Sequence, residues 1–396
     1  MPPSDRNTQP TLLLVIHALH GGGAERQMAC LASGMSHHFT SYLATYAPPD
    51  PSDYPLDPQV RRIDLGEPSD SASPIPSGWV RGVLANRRRI QALRRCAVRC
   101  RADAVVSFCD TNNILTGLAL GGRMPVALCE RSDPSRQRLS RVWEFLRDRA
   151  YPKTTCIVSQ TQSVTAMLQS RYPQMASRAW YTIPSAIHVP AMDPATLQAQ
   201  RARAATKRLL FVGRLSREKR IDRLLRAWSA IAPQRLPWRL RLVGDGPEKG
   251  TLTELARSLG IEDRVDFAGW TSDVWSELAS AHAFALTSEY EGFPQSVLEA
   301  MASGLPIVAW DCSAAIPEAL GGAIAGGEAM ERTAAGWIVR NEDALSRALA
   351  EVTSYDADLQ SIGGSALERS NTYRWERIEP QWVGLVEAML AQRKIV

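Results

Sequence analysis

Three things are scarce in this 396-residue chain: long apolar runs, organised cysteines and complete dinucleotide fingerprints. No apolar stretch approaches the roughly 18 residues that a membrane-spanning helix needs. The longest early one, Leu12 to Leu19, contains His17 and follows Asp5 and Arg6 without a basic n-region. It reads as a buried strand rather than a secretory signal. The seven cysteines are odd in number and scattered, with no Cys-x-x-Cys pair. Nothing in this spacing suggests zinc or redox work, and small buried thiols in a reducing compartment are expected. A cytoplasmic location follows as an expectation. Neither Gly21-Gly22-Gly23 nor Gly244-Asp245-Gly246 completes a G-x-G-x-x-G fingerprint, so hydride chemistry with a nicotinamide is poorly supported.

What is present is an ordinary globular composition, 45% hydrophobic and 22% charged, in a chain long enough for two domains that each bury a core. Short apolar runs alternate with helical patterns: Leu12 to Ile16, Thr40 to Ala47, Val105 to Phe108, Val126 to Cys129 and Cys156 to Val158 are separated by amphipathic segments. Alternation of this kind predicts α/β domains with parallel sheets covered on both faces. Residues 1–10 read as a disordered tail and 11–190 as a first domain. Residues 191–206, polar and Pro-containing, read as a linker, 207–370 as a second domain, and 371–396 as a final amphipathic segment.

The most informative block is Ser288-Glu289-Tyr290-Glu291-Gly292-Phe293-Pro294-Gln295-Ser296-Val297-Leu298-Glu299. It falls between a strand at Ala283 to Leu286 and another at Leu305 to Trp310. Glu291 lies on a Gly- and Pro-containing turn and Glu299 on the helix that follows. In open α/β sheets the ligand crevice lies outside the carboxyl ends of such strands. The same spacing also fits a capping box, with Ser296 capping the helix and Glu299 folding back on it.

The block resembles the glutamate-pair signature of the family-4 retaining glycosyltransferases. Gly21-Gly22-Gly23-Ala24-Glu25-Arg26, Phe211-Val212-Gly213-Arg214-Leu215 with Glu218, Lys219 and Asp222, and Leu242-Val243-Gly244-Asp245-Gly246-Pro247-Glu248 resemble other marks of that family. Together they span from about residue 12 to about residue 318. The resemblance implies the GT-B fold, two Rossmann-like domains with parallel sheets facing across a cleft, with residues 371–396 packing back on the first domain. It implies that Glu299 accepts hydrogen bonds from the donor's ribose and that Glu291 contacts the donor sugar. Gly292, Phe293 and Pro294 would shape the sugar pocket. Two departures stand out. Ser313-Ala314-Ala315 occupies a loop that is often Gly-containing in the family, and Ser185-Ala186 stands where Asn and Gly are common.

The chemistry of a nucleotide sugar matches these residues. A diphosphate needs cations, and Arg214 and Lys219, five apart just beyond a strand end, offer a planar fork and a point charge. A lone basic pair would be ordinary surface charge, but Gly213 and the glutamate block beside it favour phosphate binding. Gly22 and Gly23 open a helix after a strand, where backbone N–H groups can approach a ligand. The acceptor-side candidates Asp110 and Asn112, with Asn113, and Glu130 and Arg131 follow strand ends, although loop capping explains such residues equally well. Asp356-Ala357-Asp358 matches the Asp-x-Asp pattern of metal-dependent transferases but reads as a solvated loop, so no metal or other cofactor is expected. His17 reads as core, while His20 could reach the cleft.

The net charge of +5 is unevenly spread. Residues 1–190 hold 22 basic and 14 acidic side chains, hence +8, and residues 191–396 hold 24 and 27, hence −3. Arg81 to Arg101 carries eight arginines and no acid at helical spacing, and Arg136 to Arg149 forms a second basic amphipathic segment. This surface fits a solvated helix face, nucleic acid or an anionic leaflet. No finger, aromatic platform or helix-turn-helix pattern accompanies it, so nucleic acid is not expected. The leaflet is favoured because the resemblance implies acceptors that are often lipid-linked. The expectation is therefore a cytoplasmic, inner-leaflet peripheral retaining hexosyltransferase. Its substrates would be a nucleotide diphosphate sugar, in the first instance a UDP-sugar, and a glycan or lipid-linked acceptor of bacterial polysaccharide type. A sugar-nucleotide epimerase of similar two-domain fold is the alternative, and a catalytically silent sugar-nucleotide binder a third reading.

Overall fold

A computed structural model describes residues 9–66, 78–191, 193–231, 237–323, 328–354 and 356–393. The chain divides into two compact units. One runs to Pro184 and regains the chain from Glu376 onward, and the other is Ser185–Trp375. Each is a Rossmann-like domain built on a seven-stranded sheet.

The first sheet comprises β1 (Thr11–Ile16), β2 (Thr40–Thr45), β3 (Arg61–Asp64), β4 (Ala104–Phe108), β5 (Val126–Cys129), β6 (Cys156–Ser159) and β7 (Ala179–Thr182). The order is β3-β2-β1-β4-β5-β6-β7 and every pairing is parallel. Helices α1 (Gly23–Met35), α2 (Gly78–Arg99), α3 (Asp110–Leu120), α4 (Arg141–Ala150) and α5 (Gln162–Arg171) connect the strands. Strands β1, β4, β5 and β6 are almost wholly buried, as expected of central parallel strands covered on both faces.

The second unit contains α6 (Pro194–Arg203), β8 (Lys207–Val212), α7 (Ile221–Ile231), β9 (Trp238–Val243), α8 (Lys249–Ser258), β10 (Val265–Gly269), α9 (Val274–Ser280), β11 (Ala283–Leu286), α10 (Gln295–Ala302), β12 (Ile307–Trp310), α11 (Ala315–Leu320), β13 (Met330–Thr333), β14 (Gly336–Val339), α12 (Glu342–Val352) and α13 (Asp356–Ser370). The last helix, α14 (Trp375–Arg393), belongs from Glu376 on to the first unit. There Trp382 meets the ring of Phe108 at 5.9 Å and Glu379 pairs with His38 at 3.1 Å. The second sheet has the order β10-β9-β8-β11-β12-β14-β13, with only β13 antiparallel. Successive residues of β8 serve opposite cores. Leu209 and Phe211 pack with Leu224 and Trp228 of α7, while Leu210 packs with Val297 and Leu298 of α10.

Several expectations are corrected. The segment read as a linker, 191–206, contains a helix. Asp193 caps α6 through Ala195 and Thr196, and Pro194 at the first helical position starts a helix rather than breaking one. Asp356-Ala357-Asp358 opens α13 instead of forming a loop, and Asp358 pairs with Arg332 at 2.7 Å. His17 lies just past β1 and is exposed, not core. All seven cysteines are free, five buried and two partly so. Residues 1–8 of the expected tail lie outside the described residues, as does the side chain of Arg81.

Two glycine contacts fix the loops beyond β8 and β9. Gly244 has φ +137°, and a Cβ there would lie 1.9 Å from the carbonyl oxygen of Gly213. A Cβ on Gly246 would lie 2.3 Å from the carbonyl oxygen of Leu215. The two loops are thus pressed together backbone to backbone, with Leu215 N–H bonded to the Asp245 carbonyl at 2.9 Å. We expect Gly244→Ala to destabilise the protein by about 1–3 kcal/mol or more through overpacking and backbone strain. Gly250→Ala on α8, where a Cβ meets nothing within 4 Å, should be neutral or stabilising by up to about 1 kcal/mol. Urea unfolding of the two variants checks both signs.

Candidate functional site

In the second sheet β8 neighbours β9 on one side and β11 on the other, so the connections from β8 and β11 leave in opposite directions. This is the topological switch point, where open α/β sheets hold their ligands. Two loops meet there. After β8, a 3-10 turn at Arg217–Lys219 brings Lys219 back over the strand ends. It ends on Arg220 in the left-handed region at φ +48°, a conformation costing a non-glycine residue about 1–2 kcal/mol. After β11, the loop to Pro294 carries Glu291.

The Lys219 ammonium lies 2.6 Å from Glu291 Oε1, and Ser288 Oγ donates to the same oxygen at 2.7 Å. Thr287 Oγ1 donates to the Lys219 carbonyl at 3.2 Å, and the Glu289 N–H to the Glu218 carbonyl at 2.7 Å. Burial opposes the charge on Lys219, but Glu291 more than offsets it and raises the Lys219 pKa above its ordinary value. Lys219 is therefore a cation held ready in a largely buried position. Arg214, on the same loop, is exposed.

The capping-box reading of the glutamate block does not hold. Helix α10 begins at Gln295 with Pro294 at its cap and no side-chain cap bond, so Ser296 already lies inside the first turn. Glu299 sits mid-helix, 2% exposed. Phe293 is buried against Tyr373 with ring centroids 5.2 Å apart, and Gln295 Nε2 donates to the Ala186 carbonyl at 2.8 Å, which ties the start of α10 to the entry of the unit. Gly292 lies in the turn between Glu291 and Phe293, and Gly213 bonds through its N–H to the Val243 carbonyl at 3.0 Å. A lysine poised against a carboxylate, an exposed guanidinium and a carboxylate on the adjacent helix suit a ligand with negative and hydroxyl-bearing parts. No group of three or more His, Cys, Asp or Glu among the described residues could hold a metal ion.

The switch point of the first sheet, between β1 and β4, is built differently. Gly21 has φ +91°, and Gly22 caps α1, which begins at Gly23; a Cβ on Gly22 would lie 2.4 Å from Glu25 Oε2. Burial raises the Glu25 pKa. His20 Nδ1 lies 2.9 Å from Asp53, which also pairs with Arg62. Among the acceptor-side candidates, Asn112 is buried and donates to the Phe108 carbonyl at 3.3 Å, and Asp110 accepts from Ser132 at 2.9 Å. The Arg131 guanidinium stacks 4.6 Å over Phe108. Glu130 is 1% exposed, bonded to the Tyr151 hydroxyl and 3.8 Å from Arg147.

Arg147 is the residue that helical spacing misplaces. Read as part of a basic surface, it is fully buried and lies 3.8 Å from Asp110 and 3.2 Å from Glu144. The signal was available in Glu130, a carboxylate at the end of a buried strand that needs a cation.

Residues 206–354 match the family model described as Glycosyl transferases group 1. The chain is 42% identical over 117 residues to an uncharacterized glycosyltransferase of Haemophilus influenzae, a match covering 30% of this chain and 33% of that protein. It thus spans about a third of that relative's length. It is 25% identical over 291 residues to the Campylobacter jejuni enzyme named as an alpha-1,4-N-acetyl-D-galactosaminyltransferase acting on a GalNAc-bearing, diphosphate-linked undecaprenol (72% of this chain, 75% of that one). The Anabaena HepE structure in complex with UDP and glucose superposes with a TM-score of 0.70 at 19% identity, covering 95% of this chain and 99% of that one. The chain has the GT-B fold and resembles bacterial polysaccharide and lipopolysaccharide transferases.

Burial pushes the Glu130 carboxyl up to about 8, Asp110 adding to the effect and Arg147 opposing it. The folded state thus keeps a proton that the unfolded chain releases near the ordinary value of 4.5, and stability contributed by this group falls as pH rises between these values. Glu130→Gln, which keeps a partner for Tyr151, removes that dependence. Thermal midpoints from about pH 5 to about pH 9 should show the variant gaining on the parent as pH rises, then running parallel above about 8. Parallel curves throughout would refute the shift.

Proposed function

With a group 1 glycosyltransferase domain in a chain of GT-B fold as the premise, we propose that this protein is a retaining glycosyltransferase. It moves a hexose from a nucleoside diphosphate sugar, in the first instance a UDP-sugar, to a hydroxyl of a glycan or lipid-linked acceptor. The observation that carries this reading is the 2.6 Å Lys219–Glu291 pair at the switch point. HepE's complex with UDP and glucose supports the donor class, and the undecaprenol diphosphate in the Campylobacter enzyme's name supports the acceptor class.

In this reaction the bond from the anomeric carbon to the leaving phosphate breaks while a bond to the acceptor oxygen forms on the same face. The acceptor proton passes to the departing phosphate oxygen. Negative charge grows on the leaving diphosphate, and Lys219 and Arg214 are the cations that offset it. They supply the charge a metal supplies elsewhere, so transfer is expected to survive chelators. Glu291 contacts the donor sugar beside Gly292, Phe293 and Pro294, and Glu299 accepts from the ribose hydroxyls.

Incubation with a panel of nucleotide sugars and lipid-linked acceptors, read by mass spectrometry, tests the assignment. Glu291→Gln should lower turnover and Glu299→Ala should weaken donor binding, each loss being about 1.5–3 kcal/mol, a charged hydrogen bond's contribution. Unchanged kinetics in both, or an epimerised donor with no glycosylated product, would refute it.

The acceptor class also accounts for a surface of the first unit. Helices α2 and α4 both pack on α3, and both expose apolar side chains: Val83, Leu84 and Val98 on α2, Val142 and Phe145 on α4. Exposed arginines flank them: Arg87, Arg88, Arg95 and Arg99 on α2, and Arg141 and Arg149 on α4. Apolar side chains amid basic ones suit an anionic leaflet, where each cation contributes about 1 kcal/mol. No described helix is long and apolar enough to cross a membrane. In flotation with vesicles of phosphatidylcholine and phosphatidylglycerol, binding should rise with anionic content, fall with salt and drop in Val142→Ser/Phe145→Ser. Binding insensitive to anionic lipid would sink the membrane role.

A further inference from the structure

The loop after β11 carries a carboxylate that the proposed chemistry leaves unused. Glu289 Oε2 accepts from Arg220 Nη1 at 2.8 Å and from Arg223 Nη2 at 2.9 Å. Arg220 is itself held from behind, its Nε and Nη2 donating to the two carboxylate oxygens of Asp222 at 3.0 and 3.1 Å. Arg223, in the first turn of α7, is 7% exposed, and its guanidinium carbon lies 3.8 Å from the ring centroid of Trp310, the last residue of β12. One guanidinium therefore joins the ends of three neighbouring strands: its own segment follows β8, Glu289 follows β11 and Trp310 ends β12.

We propose that Arg223, with Arg220 and Glu289, forms a clamp that sets Glu291 against Lys219, making Arg223 a positioning residue for the transfer reaction. The inference rests on reading Lys219 and Glu291 as the donor site. The covalent spacing makes the clamp direct. Glu289 is two residues before Glu291, Lys219 is the residue before Arg220, and the Glu289 N–H bonds to the Glu218 carbonyl at 2.7 Å. Each loop is thus tied beside the side chain it presents, by a backbone bond and by a shared carboxylate. The left-handed backbone of Arg220 has a reason in this arrangement, since it turns the chain from the 3-10 segment into α7 while keeping the Arg220 side chain on Glu289. One planar guanidinium reaches Glu289 and the Trp310 face at once, whereas a lysine at 223 would keep the charge but offer a single point ammonium to both.

A buried arginine filling space on a tryptophan would show a different pattern from a clamp. The test uses the full chain with Arg223→Lys and Glu289→Gln, singly and together, with Glu254→Ala on the exposed face of α8 as reference. Glu289 is half exposed on its side chain, so Glu289→Gln keeps the experiment informative if the Arg223 variant fails to fold. With the donor that supports transfer, each single variant should lose about 10- to 100-fold in kcat, the scale of a misplacement of about 1 Å, with UDP affinity by calorimetry nearly unchanged. The double variant should be little worse than either single one, because both break the same unit. Loss of thermal stability with kcat retained, or additive losses, would overturn the clamp.

A second readout is independent of turnover. With the clamp loosened, Lys219 loses its fixed carboxylate, so its acylation by an amine reagent at mildly alkaline pH, followed by peptide mass spectrometry, should quicken several-fold in Glu289→Gln. An unchanged rate overturns the clamp even if no donor is found. A parent protein inactive with every donor while Lys219 still responds would instead defeat the functional reading alone.

Discussion

A lysine that is mostly buried loses its proton unless something opposes the cost of its charge, and in this protein Glu291 does so. The pair joins residues 72 positions apart, one on the loop after β8 and one on the loop after β11. Their meeting is a consequence of strand order. The sheet places β11 directly beside β8 although β9 and β10 intervene in sequence, and only that crossover leaves two loops diverging over a shared strand edge. The other features of the site serve this contact: Ser288 donates to Glu291 within its own loop, Thr287 binds the partner loop, Arg220 takes a strained conformation, and Gly244 and Gly246 let the neighbouring loop close up.

In the first unit, one strand beyond the switch point, the charges turn inward. Glu130 at the end of β5 and Arg147 of α4 are both essentially excluded from water, and Tyr151 completes the set. Burial dominates the Glu130 carboxyl and raises its pKa, whereas at the second switch point the side chains of Lys219 and Glu291 remain 22% and 15% exposed. Arg147, excluded from water, is a charge that only its acidic neighbours Asp110, Glu130 and Glu144 compensate, so the first network is a structural commitment. The second pair keeps contact with solvent and can exchange partners.

Much of this was legible in the residues because the physics is local. Val126–Cys129 is an unbroken apolar run and Ala104–Phe108 is broken only by Ser107, and parallel sheets bury both faces of such strands. Lys219, Glu291 and Gly213 could be singled out because they follow strand ends. What stayed hidden depends on partners distant in sequence. Strand β3, Arg61–Asp64, carries three charged residues in four and sits on a sheet edge, so nothing in its own composition marks it; β13, Met330–Thr333, with two charged residues in four, is an edge strand as well. Helix α6 was obscured by a proline that starts it. Ser296 satisfied the spacing of a cap, but Pro294 took that position. Arg147 looks like its exposed neighbours until Glu130 is known to lie beneath it, and the work of Arg223 shows only once Trp310 and Glu289 are seen against it.

The resting geometry bears on how the proposed reaction would begin. The Lys219 ammonium is paired with Glu291, and in the proposed reaction a diphosphate entering the same edge would offer it a doubly charged competitor. Were the lysine free and buried, its charge would fall away before the donor arrived. Were it locked in a fully sealed pair, the donor would have to break an interaction that water could not help replace. A lysine that is raised in pKa by a carboxylate yet remains partly in contact with solvent avoids both limits, since the charge is kept and the partner can be changed. Transfer of the ammonium to the phosphates would leave Glu291 with Ser288 Oγ as its hydrogen-bond donor and with acceptor capacity to spare, which suits a carboxylate that must next take up the hydroxyls of a sugar. In the proposed reaction the ion pair is therefore a stored arrangement that donor binding divides between two ends of one ligand.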